Sequence, residues 1–223
     1  MIKIGDNHLI SEYDLYKPED KIESQKYSQF IESNKYFPEC MALRLFSGIS
    51  KSHSYGKCKE CQRNIFDYSF SYFIDQNIYL DNIPENCYFS KVLFENLGNV
   101  NDLTMNCPGC GKEIEVKEKT KIIKLPEILI FTLERYKDRI NYAYINPHEI
   151  IDMKNYLDNS VTLTNTKYEL FAINIRLGKT NDFGHEICQV KRDGNWYEIN
   201  DTEVYEKTKD YNNYSYGLFY KRL

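Results

Sequence analysis

The chain has 223 residues, of which 42% are hydrophobic and 15% aromatic, and its formal net charge is -4. This composition predicts a folded protein with a sizeable core and excludes a disordered chain, and the acidic balance gives no electrostatic reason to expect a nucleic-acid partner. The first residues lack the apolar run of a secretory signal, and no segment approaches the roughly 20 apolar residues of a membrane-spanning helix. We therefore expect a protein of the cytoplasm or nucleus with no membrane partner.

Residues 1–40 are polar, and we expect a helical or irregular segment there. Pro18, Glu19 and Asp20 are residue types that favour the first turn of a helix. Tyr27 and Phe30 follow at a spacing that gives a weak apolar face. The segment is interpreted as a surface helix that packs on the domain and runs to about Ser33, with a binding element as the alternative.

Two cysteine pairs with the same spacing are the clearest motif in the sequence. They are Cys58-x-x-Cys61 and Cys107-x-x-Cys110. Each pair places two sulfur atoms on one tight turn, and two such turns complete the tetrahedral four-sulfur site of a zinc ribbon. A disulfide or unrelated buried thiols are the alternatives. We predict a structural zinc ion, with a strand at 66–70 and a short helix at 92–97 between the two pairs.

The other three cysteines are interpreted as core or surface thiols. Cys188 lies on a predicted strand only three residues after His185, so it has to be considered as a nucleophile. A strand interior lacks the helix N-terminus that often lowers the pKa of a reactive thiol, and we therefore expect a core thiol. Cys40 and Cys87 stand isolated in the sequence.

A long apolar run at 128–136 predicts a central strand. Arg135 near its end is interpreted either as part of an inter-strand ion pair or as a substrate contact. Further along the chain, Asp152 is expected to cap a short helix.

The last stretch predicts antiparallel strands at 168–176, 184–190, 196–199 and 216–220, with Arg192-Asp193-Gly194-Asn195 as a turn. His185 opens the second of these strands, and Asn200 and Asp201 end the third. A hairpin would bring these groups together. An imidazole held by an amide or a carboxylate is the base of Cys-His-Asn hydrolases.

Several of these motifs together resemble those of ubiquitin-specific proteases, the papain-like thiol proteases also called ubiquitin carboxyl-terminal hydrolases. The resemblance covers residues 41–223. It rests on the two cysteine pairs and on the following stretches: Leu45-Phe46-x-Gly48, Leu125-Pro126-x-x-Leu129-Ile130, Leu133-x-Arg135-Tyr136, Gly184-His185, Trp196-x-x-Ile199-Asn200-Asp201 and Leu218-Phe219-Tyr220.

The resemblance implies an α+β fold, with a mainly antiparallel β-sheet palm, a zinc-ribbon fingers subdomain and most of the papain-like thumb lacking. It places the fingers at about 46–120, introduced by a Leu-Phe-x-Gly strand, and the palm at about 121–223. It implies that His185 is the catalytic base, that Asn200 is the third catalytic residue and that Asp201 assists. A palm face without its thumb would favour association with a partner or a second copy.

The family carries its nucleophilic cysteine in a Gly-Asn-Thr-Cys box followed by an aromatic residue, and no stretch of this sequence fits that box. Cys40 lacks both the Gly-Asn approach and the following aromatic residue. An imidazole and an amide without a thiol cannot cleave an isopeptide bond.

The leading hypothesis is therefore a deubiquitinating thiol hydrolase domain whose nucleophile is absent or supplied by another chain, so that this chain alone is inactive. The alternatives are a catalytically inactive ubiquitin-binding module and a zinc-ribbon scaffold with no ubiquitin partner. In the first two cases the expected partners are ubiquitin or ubiquitinated proteins.

Overall fold

A computed structural model describes residues 16–35, 41–81, 83–135, 140–178, 183–207 and 214–223. Strands dominate this part of the chain, and its helices are α1 (Lys21–Ser33), α2 (Met41–Phe46), α3 (Phe89–Leu97) and one turn of 3-10 helix at Lys154–Tyr156. This content confirms the predicted α+β class. None of the described helices is long and apolar enough to cross a lipid bilayer.

The strands follow one another with short connections along most of the chain. In order they are β1 (Gly48–Lys57), β2 (Asn64–Phe73), β3 (Asp75–Tyr79), β4 (Asn86–Tyr88), β5 (Val100–Asn106), β6 (Glu113–Lys124), β7 (Ile128–Glu134), β8 (Tyr144–Asn146), β9 (Ile150–Asp152), β10 (Lys167–Leu177), β11 (His185–Arg192), β12 (Asn195–Asn200), β13 (Glu203–Glu206) and β14 (Ser215–Arg222).

The chain forms two compact units. The first consists of the described parts of Met1–Phe73, Leu97–Leu125 and Asn155–Thr164, and the second of those of Ile74–Asn96, Pro126–Lys154 and Asn165–Leu223. The subdomain boundaries predicted from the sequence stay a prediction.

The first unit is built on an antiparallel sheet with the strand order β2-β1-β6-β5. Helix α1 packs on β2 through aromatic rings, with Tyr27 5.2 Å from Phe70 and Phe30 5.0 Å from Tyr72 between ring centroids. Asp20 is the N-cap of α1 and accepts a hydrogen bond from the Glu23 N–H at 2.9 Å. The predicted surface helix and its end at Ser33 are confirmed.

Beneath α1 lies a buried ionic cluster, which we define as Tyr16, Glu23, Lys51 and Asp158. The ammonium of Lys51 lies 2.6 Å from Oε1 of Glu23 and 2.5 Å from Oδ2 of Asp158. The three charged side chains are from 0 to 8% exposed, and the Tyr16 hydroxyl donates to Glu23. Removing a lysine ammonium from water is costly, and here two carboxylates compensate the cost by accepting hydrogen bonds from it.

The second unit contains an antiparallel sheet with the strand order β13-β12-β11-β10-β14-β7, to which β3 adds in parallel and β9 pairs with β10. Alternate residues of β7 are buried, as a strand packed on one face requires. Phe131 of β7 lies 5.0 Å from Phe89 and 5.9 Å from Tyr220 between ring centroids, which places an aromatic core against β7 and β14. The predicted central strand is confirmed.

Two details differ from the sequence interpretation. Leu45 and Phe46 end helix α2, and the strand begins only at Gly48, so the expected Leu-Phe-x-Gly strand is wrong in its first half. Met, Ala, Leu and Arg are good helix formers, which explains the preceding turns. A Cβ atom at Gly48 would lie 2.1 Å from the Phe73 ring, so a larger residue here would require this ring to move.

The second difference is at Arg135, which is only 2% exposed. Its guanidinium donates to the backbone carbonyls of Asn141, Ala143 and Ser215. The described hydrogen bonds run from Nε and Nη1 to main-chain oxygens of one unit, a role that the sequence interpretation did not include.

Candidate functional site

The hairpin of β11 and β12 positions the two groups predicted to form the site. Its turn residues Asp193 and Gly194 both have positive φ, 51° and 87°, while Arg192 pairs with Asn195. Two successive positive φ values define the type I′ turn, whose twist suits a two-residue hairpin. The turn predicted from the sequence is confirmed.

The register of this hairpin brings His185 and Asn200 to the same face of the sheet. Cys188 pairs with Ile199, so continuing the register sets Asn200 opposite Ile187, and His185 lies two residues earlier on the same side. The two side chains meet along this diagonal, with Nε2 of His185 2.6 Å from Oδ1 of Asn200. We call this pair the His185–Asn200 dyad.

The hydrogen bond fixes how the imidazole can act. An amide oxygen only accepts, so Nε2 carries the proton and Nδ1 is left with a lone pair. The His185 side chain is exposed, and within the described part of the chain no further hydrogen bond to its ring occurs. The arrangement is that of a base whose ring is held at one nitrogen and open to a proton donor at the other.

Asp201 follows Asn200 in the sequence, but its side chain makes no hydrogen bond to the dyad. It is exposed and lies in the two-residue link between β12 and β13 with a φ of 52°. Its side chain makes no hydrogen bond with the residues that the structure describes. The predicted assisting role of Asp201 stays a prediction.

Glu186 points to the other face of β11. Its carboxylate lies 3.3 Å from Nη1 of Arg176 and accepts from the Tyr216 hydroxyl at 3.2 Å. Alternation along a strand separates this carboxylate from the imidazole of its neighbour His185.

The thiols of the second unit do not complement the dyad. Cys188 is an odd number of residues from His185, so the two side chains extend to opposite faces of β11. Cys188 is half-buried, and burial raises the pKa of its thiol. Burial likewise raises the pKa of Cys87. Both are poor thiolate donors, as the sequence predicted for Cys188, and Cys40 lies outside the described residues.

The four predicted zinc ligands come together in the first unit. The Sγ atoms of Cys58, Cys61, Cys107 and Cys110 all lie within 4.8 Å of one another. The cross-pair distances are 3.7 Å for Cys58–Cys110 and 3.6 Å for Cys61–Cys107, whereas a disulfide requires about 2.05 Å. Four sulfurs bound tetrahedrally at about 2.3 Å are about 3.8 Å apart, so the cluster fits a structural zinc ion and the predicted ligand set is confirmed.

The backbone around the cluster is shaped for thiolate ligands. The N–H of Cys58 donates to the Arg63 carbonyl at 2.9 Å and that of Cys107 to the Lys112 carbonyl at 2.7 Å, which closes each turn. Gly111 adopts a φ of 72°, a conformation that costs glycine little. The N–H groups of Cys110 and Gly109 point at the Cys107 sulfur and lower the pKa of this thiol to about 6.

Sequence reasoning missed part of this support. Gln62 takes a φ of 59° directly after the first pair, and no feature of a glutamine signals a left-handed conformation. Ile65 and Val116 pack with Cys58 and Cys107 in one buried cluster. These two residues alternate with exposed neighbours along their strands, and this alternation is the sequence signal that could have predicted the cluster.

Known proteins share sequence and fold with this chain. The family model described as ubiquitin carboxyl-terminal hydrolase matches residues 19–220. Ubiquitin carboxyl-terminal hydrolase 8 of Arabidopsis thaliana is 32% identical over 127 residues, which are 52% of this chain and 14% of that protein. The probable ubiquitin carboxyl-terminal hydrolase R319 of Acanthamoeba polyphaga mimivirus is 27% identical over 174 residues, 72% of this chain and 32% of that protein.

Solved structures share the fold. The yeast SAGA DUBm, determined with an Sgf73 mutant, gives a TM-score of 0.70 at 23% identity and covers 88% of this chain and 45% of that chain. The SAGA Ubp8/Sgf11/Sus1/Sgf73 DUB module bound to ubiquitin aldehyde gives 0.69 at 22% identity, covering 90% of this chain and 47% of that chain. The chain therefore spans less than half the length of each of these relatives.

Proposed function

Because the chain belongs to the ubiquitin carboxyl-terminal hydrolase family, we propose that it binds ubiquitin and supplies the general base for thiol-dependent cleavage of isopeptide bonds at the ubiquitin C-terminus. The observation that carries this proposal is the hydrogen bond between Nε2 of His185 and Oδ1 of Asn200. A module that only binds ubiquitin has no need of an oriented, exposed imidazole. The structure of a related module with ubiquitin aldehyde bound supports the choice of ligand.

In the proposed reaction His185 accepts the proton of a cysteine thiol at Nδ1. The thiolate attacks the isopeptide carbonyl carbon, and the protonated imidazole then gives its proton to the departing lysine amine, so that a thioester remains. Water attacks the thioester with His185 again as base, and the thiol is released. Asn200 holds the ring through both steps and keeps Nδ1 directed at the sulfur.

The thiol itself is proposed to lie outside these 223 residues. No cysteine of the sequence lies in a Gly-Asn-Thr-Cys box, and the described thiols of the second unit have pKa values raised by burial. We therefore expect this chain alone to be inactive. The four-cysteine ribbon is proposed to hold its sheet rigid, with zinc as the structural ion, and to contribute to ubiquitin binding.

The test is reaction of the purified chain with ubiquitin that carries a thiol-reactive group at its C-terminus, followed by intact mass spectrometry. The proposal predicts no adduct with the chain alone, because no cysteine of the described residues extends to the same face of the sheet beside His185. An adduct that maps to Cys40 or Cys188 and disappears in His185→Gln would contradict a thiol outside these residues and would show an active site complete within them.

A catalytically inactive ubiquitin-binding module is the second candidate, favoured by the missing cysteine box. The two are separated by adding a family member that has its cysteine but has its own histidine replaced. Restored cleavage of a fluorogenic ubiquitin amide, lost again with His185→Gln, supports the base. No restoration together with ubiquitin binding supports the module.

A further inference from the structure

Strand β13 is an exposed sheet edge directly beside the dyad. It pairs with β12 and, among the described strands, forms the end of the sheet. All four of its residues, Glu203–Glu206, are exposed, and Val204 is 62% exposed. Among the residues that the structure describes, none covers the faces or the outer edge of this strand.

The register tells which backbone groups point outward. Lys207 N–H donates to the Trp196 carbonyl at 2.9 Å, so these two residues form a hydrogen-bonded pair of the antiparallel ladder. Such pairs alternate along a strand, so Glu203 and Tyr205 also direct their N–H and C=O groups to β12. The N–H and C=O groups of Val204 and Glu206 point away from β12, where an added strand would pair with them.

The charge of the edge indicates what kind of strand fits. Asp201, Glu203 and Glu206 are exposed carboxylates, and none of them forms an ion pair within the described residues. Lys207 is neutralised by Glu198, with 2.7 Å between Nζ and Oε2. The outer edge is therefore acidic, and it complements an extended segment rich in lysine or arginine.

The position of the edge ties it to the reaction. Glu203 pairs with Asn200 of the dyad, and only Asp201 and Thr202 separate them along the chain. A strand that adds to β13 lies about 5 Å beyond it, which is about 10 Å from the strand of Asn200 and about 15 Å from the strand of His185, at the same end of the sheet.

We propose that the outer edge of β13 binds, by strand addition, an extended basic segment of the ubiquitin-carrying protein next to its modified lysine. This inference rests on the proposed function, since it takes the lysine isopeptide as the substrate. Backbone pairing would give affinity for many sequences, and the carboxylates would select basic ones. The acidic edge would thus favour substrates in which lysines or arginines flank the ubiquitinated lysine.

The test uses a fluorescent peptide of alternating lysine and threonine, without ubiquitin, titrated with the full chain and followed by anisotropy. The peptide is expected to bind and to shift the backbone amide resonances of Val204 and Glu206. The same peptide with every amide N-methylated keeps its charges but has no N–H donors, and it should bind at least about fivefold more weakly. Equal binding of the two peptides, or no binding of the first, would overturn the inference.

Protein variants test the same edge from the other side. Val204→Pro removes one outward N–H and leaves the bonds to β12 in place, so peptide affinity should fall at least about threefold, while Val204→Thr should bind as the parent does. Unchanged affinity of Val204→Pro would argue against strand addition. Ubiquitin affinity should be the same in both variants. Failure of ubiquitin to bind the parent chain would refute the proposed function and the substrate assignment, whereas the peptide titration tests the edge by itself.

Discussion

In the proposed function, His185 is a base that Asn200 orients, and a single hairpin contributes both side chains. The amide of Asn200 gives His185 one tautomer without adding a charge beside the ring. A carboxylate at this position would stabilise the imidazolium more strongly, since an opposite charge favours the protonated form. With asparagine, the choice of tautomer is the main contribution.

The tautomer can be observed directly, without an activity assay. Nitrogen-15 resonances of the His185 ring should show protonation at Nε2 in the neutral form. Asn200→Ala removes the acceptor and should give a mixture of tautomers, while Asn200→Asp should retain the Nε2-protonated form. A ring that shows the same tautomer in the parent and in Asn200→Ala would contradict the orienting role.

Lys51 joins helix α1 to the segment of Asp158, because its ammonium pairs with both Glu23 and Asp158. Replacing it by methionine leaves the carboxylates of Glu23 and Asp158 buried without a cation, and we expect a loss of about 3–5 kcal/mol in the free energy of unfolding. Lys117→Met is the matched control, because the ion pair of Lys117 with Asp102 is exposed to solvent and should contribute little to the free energy of unfolding. Denaturant titration measures both. Equal losses in the two variants would show that the buried cluster contributes no more to stability than an exposed ion pair.

The same cluster gives a pH dependence with a definite sign. Burial opposes ionisation of Asp158, but hydrogen bonds from Lys51 and Ser160 outweigh it and hold the pKa of this carboxyl below its usual range. Burial acts against the charge of Lys51 too, yet hydrogen bonds to Asp158 and Glu23 raise the pKa of this ammonium.

A depressed carboxyl pKa contributes stability above the ordinary pKa of an aspartate, about 3.9, and loses it as the pH falls through the folded value. A raised lysine pKa contributes below about pH 10.4 and loses it as the pH rises through the folded value. The free energy of unfolding should therefore fall at both extremes. Lys51→Met should flatten both limbs, and unchanged limbs in that variant would contradict this assignment.

Among the elements, the zinc ribbon is the one whose stability comes from a ligand. Thiolate ligands must be deprotonated, so metal binding and folding of the ribbon are coupled and both weaken in acid. Backbone N–H groups lower the pKa of Cys107 to about 6, whereas at Cys110 the N–H of Lys112 is outweighed by burial and neighbouring thiols, which raise the pKa to about 11. The packed pair Ile65 and Val116 holds the two turns together but gives too small a core to replace the ion.

We predict that the purified chain contains one zinc ion and that a strong chelator lowers its melting temperature. Cys107→Ser should lose the ion and destabilise the first unit, whereas Cys87→Ser, a substitution outside the cluster, should retain the metal content of the parent. Metal analysis measures the zinc content of each variant, and thermal unfolding measures its stability. Full zinc content in Cys107→Ser would contradict the ligand assignment.

Helix α1 depends on its N-cap as well as on its aromatic face. Asp20→Ala removes the acceptor for the Glu23 N–H and for the Tyr68 hydroxyl, and a loss of about 1 kcal/mol in unfolding free energy is expected. Asp20→Asn keeps an acceptor and should lose only part of this. The order of the three proteins in denaturant titration checks the prediction, and an unchanged Asp20→Ala variant would refute it.

Sequence patterns predicted those elements whose signal is local. The Asp193-Gly194 turn, the strands of 168–220 and the two cysteine pairs follow from residue type and spacing, and the structure has them where expected. The start of β1 was harder to predict, because the clash that Gly48 avoids comes from Phe73, on the neighbouring strand. Propensity alone also could not separate the end of α2 from a strand.

Contacts between residues far apart in the sequence could not be predicted from sequence patterns. Lys51, Glu23 and Asp158 are far apart in the chain, and the hydrophobic pattern around them does not show that they meet. Arg135 was a similar case, since its partners are backbone carbonyls and carry no residue signature. The dyad was predictable because a hairpin joins its two members. The catalytic roles of His185, Asn200 and Asp201 remain predictions.

For the chain as one molecule, the central claim is that it binds ubiquitin with the C-terminal tail of ubiquitin at His185 and Asn200. The most direct measurement is a calorimetric titration of the chain with ubiquitin and with ubiquitin that lacks its last two glycines. We predict one-to-one binding of intact ubiquitin and weaker binding of the truncated form, with the difference reduced in His185→Ala. No heat of binding with intact ubiquitin, from a chain that holds its zinc ion, would contradict the account.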